Sequence, residues 1–370
     1  TPEGVHLLFG GDEDQPSAKI KLNSWAVCQR ALKAGDIGFA EAYIAGEWET
    51  NDIASVLGVF LENRKAVEKV IYGSFLGSIA YKIKHLLNRN TKAQARKNIH
   101  AHYDLGNPFY QLWLDPSMTY SSALFDGDTS LSLEQAQDAK YMAMVNYLKP
   151  KAGDQVLEIG CGWGGFAEKA CAAGAKLVGL TLSTEQLAYA KERLTKQGFG
   201  EHADFRLQDY RDCRGQFDHI ASIEMFEAVG EEYWPAYFQS VNRLLKKGGK
   251  AAIQTIVIDD ALFDRYRKGT DFIQQYIFPG GMLPSPSKFR AMAEKHGLRV
   301  VSEKAFGKDY AETLRQWRAQ FMGTLEQVKN QGFDDPFIRT WEFYLAYCEA
   351  GFEYESTDVI QFYLEKVENQ

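Results

Sequence analysis

The chain has 370 residues, of which 45% are hydrophobic and 25% charged, and its net charge is −7. This composition indicates a folded globular protein of one large domain or two, and the acidic balance argues against nucleic acid as a partner. The five scattered cysteines favour a reducing compartment over a disulfide framework, and none has zinc-site spacing. No apolar run approaches the length of a membrane span and no signal peptide is visible, so we expect a cytoplasmic protein without a bound metal.

Residues 1–62 are predicted to form a small α+β region. Residues 18–22 alternate as a short strand would, and helical patterns follow over 25–34, 38–45 and 53–62. The last of these helices is expected to begin after an N-cap at Asn51 or Asp52.

The segment 64–97 carries nine basic residues against one acidic residue, Glu68. Apolar residues recur between these charges at close to helical spacing. Such a segment is able to lie on an anionic bilayer, where each basic residue near the surface contributes about 1 kcal/mol. The alternative is an ordinary interdomain helix with a solvated basic face. We therefore predict that residues 1–97 form a mostly helical lipid-docking domain with a basic connector, peripheral at the inner membrane face.

Strands and helices alternate in the carboxyl-terminal part of the chain. Helices are predicted over 133–148 and over 184–196, the latter capped by Ser183 or Thr184. This alternation indicates a parallel sheet with helices on both faces, in which ligands bind at the carboxyl ends of the strands. The predicted strands are 155–159, 176–181, 203–207, 217–223, 250–257, 298–306 and 357–366.

A glycine-rich turn, residues 160–165, joins the first of these strands to a helix. Glu158 lies two positions before the first glycine, where a carboxylate would repel a pyrophosphate but suits a ligand with a cationic amino-acid portion. A dinucleotide fold would also place an acid at the end of the next strand, which instead ends in Thr181-Leu182-Ser183. The turn thus favours S-adenosylmethionine, although the pattern alone is a weak signal.

Short motifs extend this pattern over residues 98–370 in a fixed order. They are His102-Tyr103-Asp104, Thr119-Tyr120-Ser121, the turn 158–165, the segments 179–183 and 185–186, Met225-Phe226-Glu227, the segments 276–281 and 283–285, Asp309-Tyr310, and 358–362. Together they resemble the cyclopropane-fatty-acid synthase family of S-adenosylmethionine-dependent lipid methyltransferases. Residues 41–48 resemble the helical domain that precedes the catalytic domain in the bacterial phospholipid-acting members. The resemblance implies a seven-stranded, Rossmann-like class I methyltransferase domain over 98–370.

The resemblance also implies which residues contact the cofactor. Glu158 would pair with its ammonium group, and Tyr210 would flank the adenine. The expected contacts are Tyr120, Ser121, Glu158, Gly160, Gly162, Gly164, Thr181, Gln186, Asp209 and Tyr210.

The base that removes a proton after methyl transfer is, in this family, a bicarbonate held by cysteine, histidine, glutamate and tyrosine. The corresponding residues here are Ser122, Gln254, Glu227 and Tyr310, so two of the four side chains differ. Either Ser122 and Gln254 still donate hydrogen bonds to bicarbonate, or the anion is absent and another group takes the proton, for which Glu227 is the candidate. The second alternative would give a methyl- or methylene-branched chain, including a furan-pathway product, instead of a cyclopropane.

The implied substrate is the unsaturated acyl chain of a phospholipid, entering an apolar tunnel near 272–283. Aromatic faces would stabilise the carbocation, and the candidates are Tyr276, Phe278, Phe272 and Phe226. An anionic membrane surface and a homodimer are the other expected partners. The competing hypotheses are a non-catalytic lipid- or cofactor-binding paralogue with a degenerate base site and a methyltransferase of small molecules.

Overall fold

The computed structural model describes residues 1–9, 18–67, 81, 90–92, 94–95, 97–98 and 105–367. Most of the basic connector and the motif His102-Tyr103-Asp104 lie outside these residues. Of the helices that are described, none combines the length and the apolarity needed to span a bilayer.

The amino-terminal region contains a two-stranded antiparallel ribbon, β1 (Lys21–Leu22) and β2 (Trp48–Glu49), and two helices, α1 (Ala26–Ile44) and α2 (Ile53–Glu62). The two helices predicted over 25–45 are confirmed as the two halves of α1, which are separated by a kink at Gly35, where φ is 63° and ψ is −136°. Asp52 is confirmed as the N-cap of α2, because its side chain accepts a hydrogen bond from the Ala54 amide at 3.2 Å.

The carboxyl-terminal part is a seven-stranded sheet with helices on both sides, which confirms the predicted fold class. The strands lie in the order β5-β4-β3-β6-β7-β9-β8. The five strands whose alternation predicted a parallel sheet do run parallel, whereas β9 runs antiparallel to both of its neighbours. The strands are β3 (Gln155–Ile159), β4 (Lys176–Thr181), β5 (Ala203–Leu207), β6 (Phe217–Ile223), β7 (Leu245–Ile258), β8 (Leu298–Ala305) and β9 (Thr357–Lys366).

Helices connect and cover these strands. Ser183 caps one of them as predicted, accepting a hydrogen bond from the Gln186 amide. The helices are α3 (Asn107–Tyr110), α4 (Leu133–Leu148), α5 (Gly165–Ala172), α6 (Thr184–Lys196), α7 (Trp234–Leu244), α8 (Asp260–Tyr266), a π-helix (Ile273–Ile277), α9 (Pro286–Lys295), α10 (Gly307–Gly323), α11 (Leu325–Asn330) and α12 (Asp335–Glu353).

The amino-terminal helices pack directly on α12. The Tyr43 hydroxyl donates to Glu342 at 2.6 Å, and the Arg339 guanidinium lies 4.2 Å from the centre of the Tyr43 ring. Trp48 is fully buried and packs edge-on against Phe343. One continuous apolar core thus joins both parts of the chain, and the domain boundary near residue 97 stays a prediction.

Candidate active site

A cavity of about 340 Å³ opens at the carboxyl ends of β3, β4 and β6. Its polar end is formed by the glycine-rich turn and the ends of these strands. It continues between the segment 273–283 and the helices α10 and α12, where Phe278, Leu314, Tyr344 and Phe352 line it. The predicted tunnel segment therefore does line this cavity.

The glycine-rich turn lets the backbone approach a ligand closely. Gly160 has φ of 84°, and a Cβ atom placed on it would lie 2.9 Å from Met225 Cγ. Gly162 has φ of 49° and faces open space, so a cofactor is able to lie against it. Gly164 is outside the cavity lining, and a Cβ atom placed on it would lie 3.2 Å from Ala190 and Leu194 of α6, which points to a packing role.

Glu158 lies at the end of β3, where it lines the cavity but is only 2% exposed. Its Oε2 atom has no hydrogen-bond partner. Burial raises the pKa of this carboxyl group well above its ordinary value, although Arg193 and Lys140 oppose the shift. An orphaned acceptor beside a glycine cradle fits the ammonium group of S-adenosylmethionine, which supplies an electrophilic methyl group when bound.

The predicted ribose and adenine contacts also line the cavity. Thr181 Oγ1 donates to Gln186 Oε1 at 2.9 Å, which orients both side chains. The Asp209 carboxylate forms an ion pair with Arg211 at 2.6 Å, and Tyr210 is buried edge-on against Tyr237. Asp209 therefore orients Arg211 beside the pocket, and Tyr210 contributes to the cavity lining.

Tyr120 and Ser121 lie on the loop before α4. The Tyr120 hydroxyl is hydrogen-bonded to that of Tyr344 at 2.6 Å. Ser121 Oγ accepts a hydrogen bond from the fully buried Lys140 ammonium at 2.5 Å. Burial lowers the pKa of Lys140 to about 7, against the opposing pull of the Glu224 carboxylate.

Glu224, which the sequence interpretation missed, lies at the centre of the predicted catalytic residues. Its Oε1 accepts hydrogen bonds from the Ser122 amide at 2.9 Å and from Gln254 Nε2 at 2.8 Å. Its Oε2 accepts one from the Tyr310 hydroxyl at 2.6 Å. The only signal in the sequence is its position directly after β6, at the carboxyl end of a central strand.

Ser122, Gln254 and Tyr310 are thus brought together, but around Glu224. The Ser122 hydroxyl points away and donates to the Ala123 carbonyl at 2.9 Å, so that only its amide faces Glu224. Gln254 Oε1 accepts a hydrogen bond from Gln361 Nε2 at 3.0 Å, which turns its NH2 group toward Glu224.

Glu227 lines the same cavity with fewer donors. Its Oε1 accepts a hydrogen bond from the Ile256 amide, and its Oε2 has no hydrogen-bond partner. Burial and the neighbouring Glu224 raise the pKa of Glu227 to about 8. At neutral pH this carboxyl group mostly carries a proton.

The aromatic candidates separate in the structure. Phe278 lines the cavity, whereas Phe226 and Phe272 are fully buried in the core, and Tyr276 is 39% exposed and bonded to Glu41. Aromatic rings that the sequence interpretation did not select face the cavity as well, namely Trp163, Tyr266, Tyr344, Tyr347 and Phe352.

We expect Gly160→Ala to weaken cofactor binding about tenfold and to lower the free energy of unfolding by about 1–3 kcal/mol. The added methyl group would collide with Met225 and strain the backbone. Gly153→Ala is the matched control, because Gly153 has φ of 88° with no atom within 4 Å of its Cβ position. Calorimetric titration with S-adenosylhomocysteine would measure the affinity, and urea denaturation the free energy of unfolding. Equal affinities of the two variants would contradict close contact between Gly160 and the cofactor.

Comparison with known proteins agrees with this geometry. The family model described as mycolic acid cyclopropane synthetase matches residues 90–362. Tuberculostearic acid methyltransferase UfaA1 of Mycobacterium tuberculosis is 39% identical over 348 residues, covering 92% of this chain and 81% of the relative. Cyclopropane-fatty-acyl-phospholipid synthase of Escherichia coli is 34% identical over 342 residues, covering 90% and 84%.

A solved structure shows the same relationship. Mycolic acid cyclopropane synthase CmaA1, complexed with SAH and CTAB, superposes with a TM-score of 0.69 at 31% identity, over 73% of this chain and 98% of that one. Sequence, fold and site together show that the chain belongs to the mycolic acid cyclopropane synthetase family and is an S-adenosylmethionine-dependent methyltransferase.

Proposed function

We propose that the protein methylates the double bond of an unsaturated fatty acyl chain carried by a phospholipid. The observation that carries this proposal is the continuity of the cavity, which leads from the cofactor edge, past the two glutamates, into a slot lined by Phe278, Leu314 and Tyr344. An apolar chain fits this slot, and an alkene lying beside the glutamates would be close to the cofactor methyl group. Relatives named for fatty-acyl phospholipids and mycolic acids support a lipid substrate.

We further propose a methylene-branched product. A hydride shift onto the cationic carbon followed by loss of a proton from the new methyl group gives the methylene branch, whereas loss of that proton without the hydride shift closes the ring. Two of the four side chains that the resemblance assigns to bicarbonate differ here, and the Ser122 backbone amide and the Gln254 side chain donate their hydrogen bonds to Glu224. The relative that is 39% identical is named for tuberculostearic acid. A cyclopropane is the second candidate, supported by the name of the relative that is 34% identical.

The test uses vesicles of unsaturated phosphatidylglycerol and S-adenosylmethionine labelled in the methyl group. We expect acyl chains heavier by one CH2 unit that take up hydrogen on catalytic hydrogenation. Chains of that mass that resist hydrogenation would show a ring. Tight cofactor binding without labelled lipid would instead favour a non-catalytic binding protein.

We also propose that residues 1–97 present the catalytic part to the membrane from the cytoplasmic side. The charge pattern of the connector supports this proposal. We expect sedimentation with vesicles rich in phosphatidylglycerol, weaker in high salt, and no sedimentation with neutral phosphatidylcholine vesicles. Equal binding to both kinds of vesicle would contradict an electrostatic contact. The expected homodimer is tested separately, by light scattering of the protein without vesicles.

A further inference from the structure

We propose that Glu224 is a built-in replacement for a diffusible anion and accepts the proton that the methylated acyl chain loses. This inference rests on the proposed function and adds a catalytic residue to it. Three hydrogen-bond donors from separate parts of the chain converge on its carboxylate: the Ser122 amide, the Gln254 side chain and the Tyr310 hydroxyl. They lie on the loop before α4, on β7 and on α10.

The three donors are held in place independently of Glu224. The Ser122 donor belongs to the backbone. Gln254 is oriented by Gln361, whose own Oε1 accepts a hydrogen bond from the Tyr363 hydroxyl at 2.5 Å. The Tyr310 ring stacks on Phe352 with centroids 4.4 Å apart. The acceptor position is therefore preorganised by its surroundings.

The backbone supports a functional reason for this side chain. Glu224 has φ of 48°, in the left-handed region that disfavours residues with a Cβ atom. A glycine would adopt this conformation with less strain, by about 1 kcal/mol or more. The chain nevertheless places a glutamate there, facing the cavity.

The three donors favour the ionised form of Glu224. Their hydrogen bonds lower its pKa against the effect of burial, and the two donors at Oε1 require that this oxygen carries no proton. A carboxylate has about four acceptor sites, of which three are used, and one remains for a proton from the substrate. Burial nevertheless raises the pKa of Glu224, which makes it a stronger base than an exposed glutamate.

Glu227 has the complementary environment. It receives one backbone hydrogen bond and keeps a proton at neutral pH, because its pKa is raised to about 8. Because the surroundings of these two neighbouring carboxyl groups differ, Glu224 carries the negative charge and Glu227 carries the proton. The experiment must therefore distinguish Glu224 from Glu227 as the group that accepts the proton.

The proposed step balances without a further reagent. The π electrons of the alkene form the new C–CH3 bond while the S–CH3 bond breaks and its electron pair stays on sulfur. The hydride on the methylated carbon shifts to the cationic carbon, and a proton of the new methyl group then leaves to Glu224 Oε2. The electrons of that C–H bond form the new double bond, and Glu224 later returns the proton to water.

The experiment compares Glu224→Ala, Glu224→Gln and Glu227→Ala, with the surface variant Glu231→Gln as a control. We expect both Glu224 variants to lose about 10³-fold in the rate of methyl transfer to vesicle lipids while binding S-adenosylhomocysteine normally. Formate should raise the rate of methyl transfer by Glu224→Ala at least tenfold, because the three donors would bind it in place of the missing carboxylate. It should not raise the rate of Glu227→Ala. Formate or bicarbonate should also raise the melting temperature of Glu224→Ala but not of the wild type.

Wild-type rates in Glu224→Gln, rescue of Glu227→Ala instead of Glu224→Ala, or no effect of formate on Glu224→Ala would each overturn the assignment. If Glu224→Ala does not fold, Glu224→Gln keeps the same shape and carries the rate test. If the wild type itself fails to methylate lipid, the proposed function is wrong. The thermal shift with formate needs no lipid and still tests the acceptor position.

Discussion

Replacing Glu158 by glutamine should weaken the binding of S-adenosylhomocysteine about 100-fold. A charged hydrogen bond to an ammonium group contributes roughly 1.5–3 kcal/mol, and the loss leaves the ammonium without a counter-charge in a buried site. Glu158 is 2% exposed and its Oε2 has no hydrogen-bond partner, so this carboxyl oxygen is free to accept from a cation. Calorimetric titration would measure the change in affinity.

Binding should also release a proton. Burial raises the pKa of Glu158 in the empty site, and an adjacent ammonium would lower it again. Wild-type affinity should therefore increase as pH rises, and the heat of binding should depend on the ionisation enthalpy of the buffer. Both effects should disappear in Glu158→Gln.

Two controls sharpen this expectation. Methylthioadenosine lacks the amino-acid portion, so it should bind the wild type and Glu158→Gln equally. Glu192→Gln alters an exposed glutamate on α6 that pairs with Lys196, and should leave affinity unchanged. If Glu158→Gln lost as much affinity for methylthioadenosine as for S-adenosylhomocysteine, Glu158 would not be the partner of the ammonium group.

The local pattern of the sequence predicted the strands of the sheet well, because a buried strand between two helices is a short apolar run that can be recognised without knowledge of the fold. Where it erred, glycines were the cause. Lys246-Lys247-Gly248-Gly249 resembles a turn, yet β7 already begins at Leu245 and passes through it, with Gly248 at φ of 68° and an irregular register between β6 and β7. At Gly35, in contrast, the predicted separation of two helical stretches is confirmed by the kink in α1.

The candidate site was predictable where a motif dictates local geometry, as at Glu158 and the glycine-rich turn. Glu224 was not, since its role depends on donors from residues 122, 254 and 310, which only the fold brings together. The resemblance directed attention to Glu227 three residues later. The antiparallel direction of β9 was equally out of reach, because strand direction is set by how α12 returns the chain to the sheet.

Glu227→Gln should stabilise the folded protein, and the gain should grow with pH. The pKa of Glu227 is about 8 in the folded protein against a reference value of 4.5, because burial and Glu224 disfavour its charge. Below the lower value the group is protonated in both states and has little effect. Between 4.5 and 8 the unfolded chain releases the proton while the folded protein keeps it, so the free energy of unfolding falls as pH rises.

Above pH 8 the full penalty is present, and its upper limit is about 5 kcal/mol for a shift of this size. Glutamine matches the shape of the protonated acid, and its amide oxygen is able to accept the Ile256 hydrogen bond. Urea denaturation of wild type and variant should therefore nearly coincide at pH 5 and diverge at pH 9, whereas Glu201→Gln, on the exposed surface, should follow the wild type throughout. A constant difference at all pH values would mean that Glu227 is ionised in the folded protein, and the assignment of charge to Glu224 and proton to Glu227 would have to be reversed.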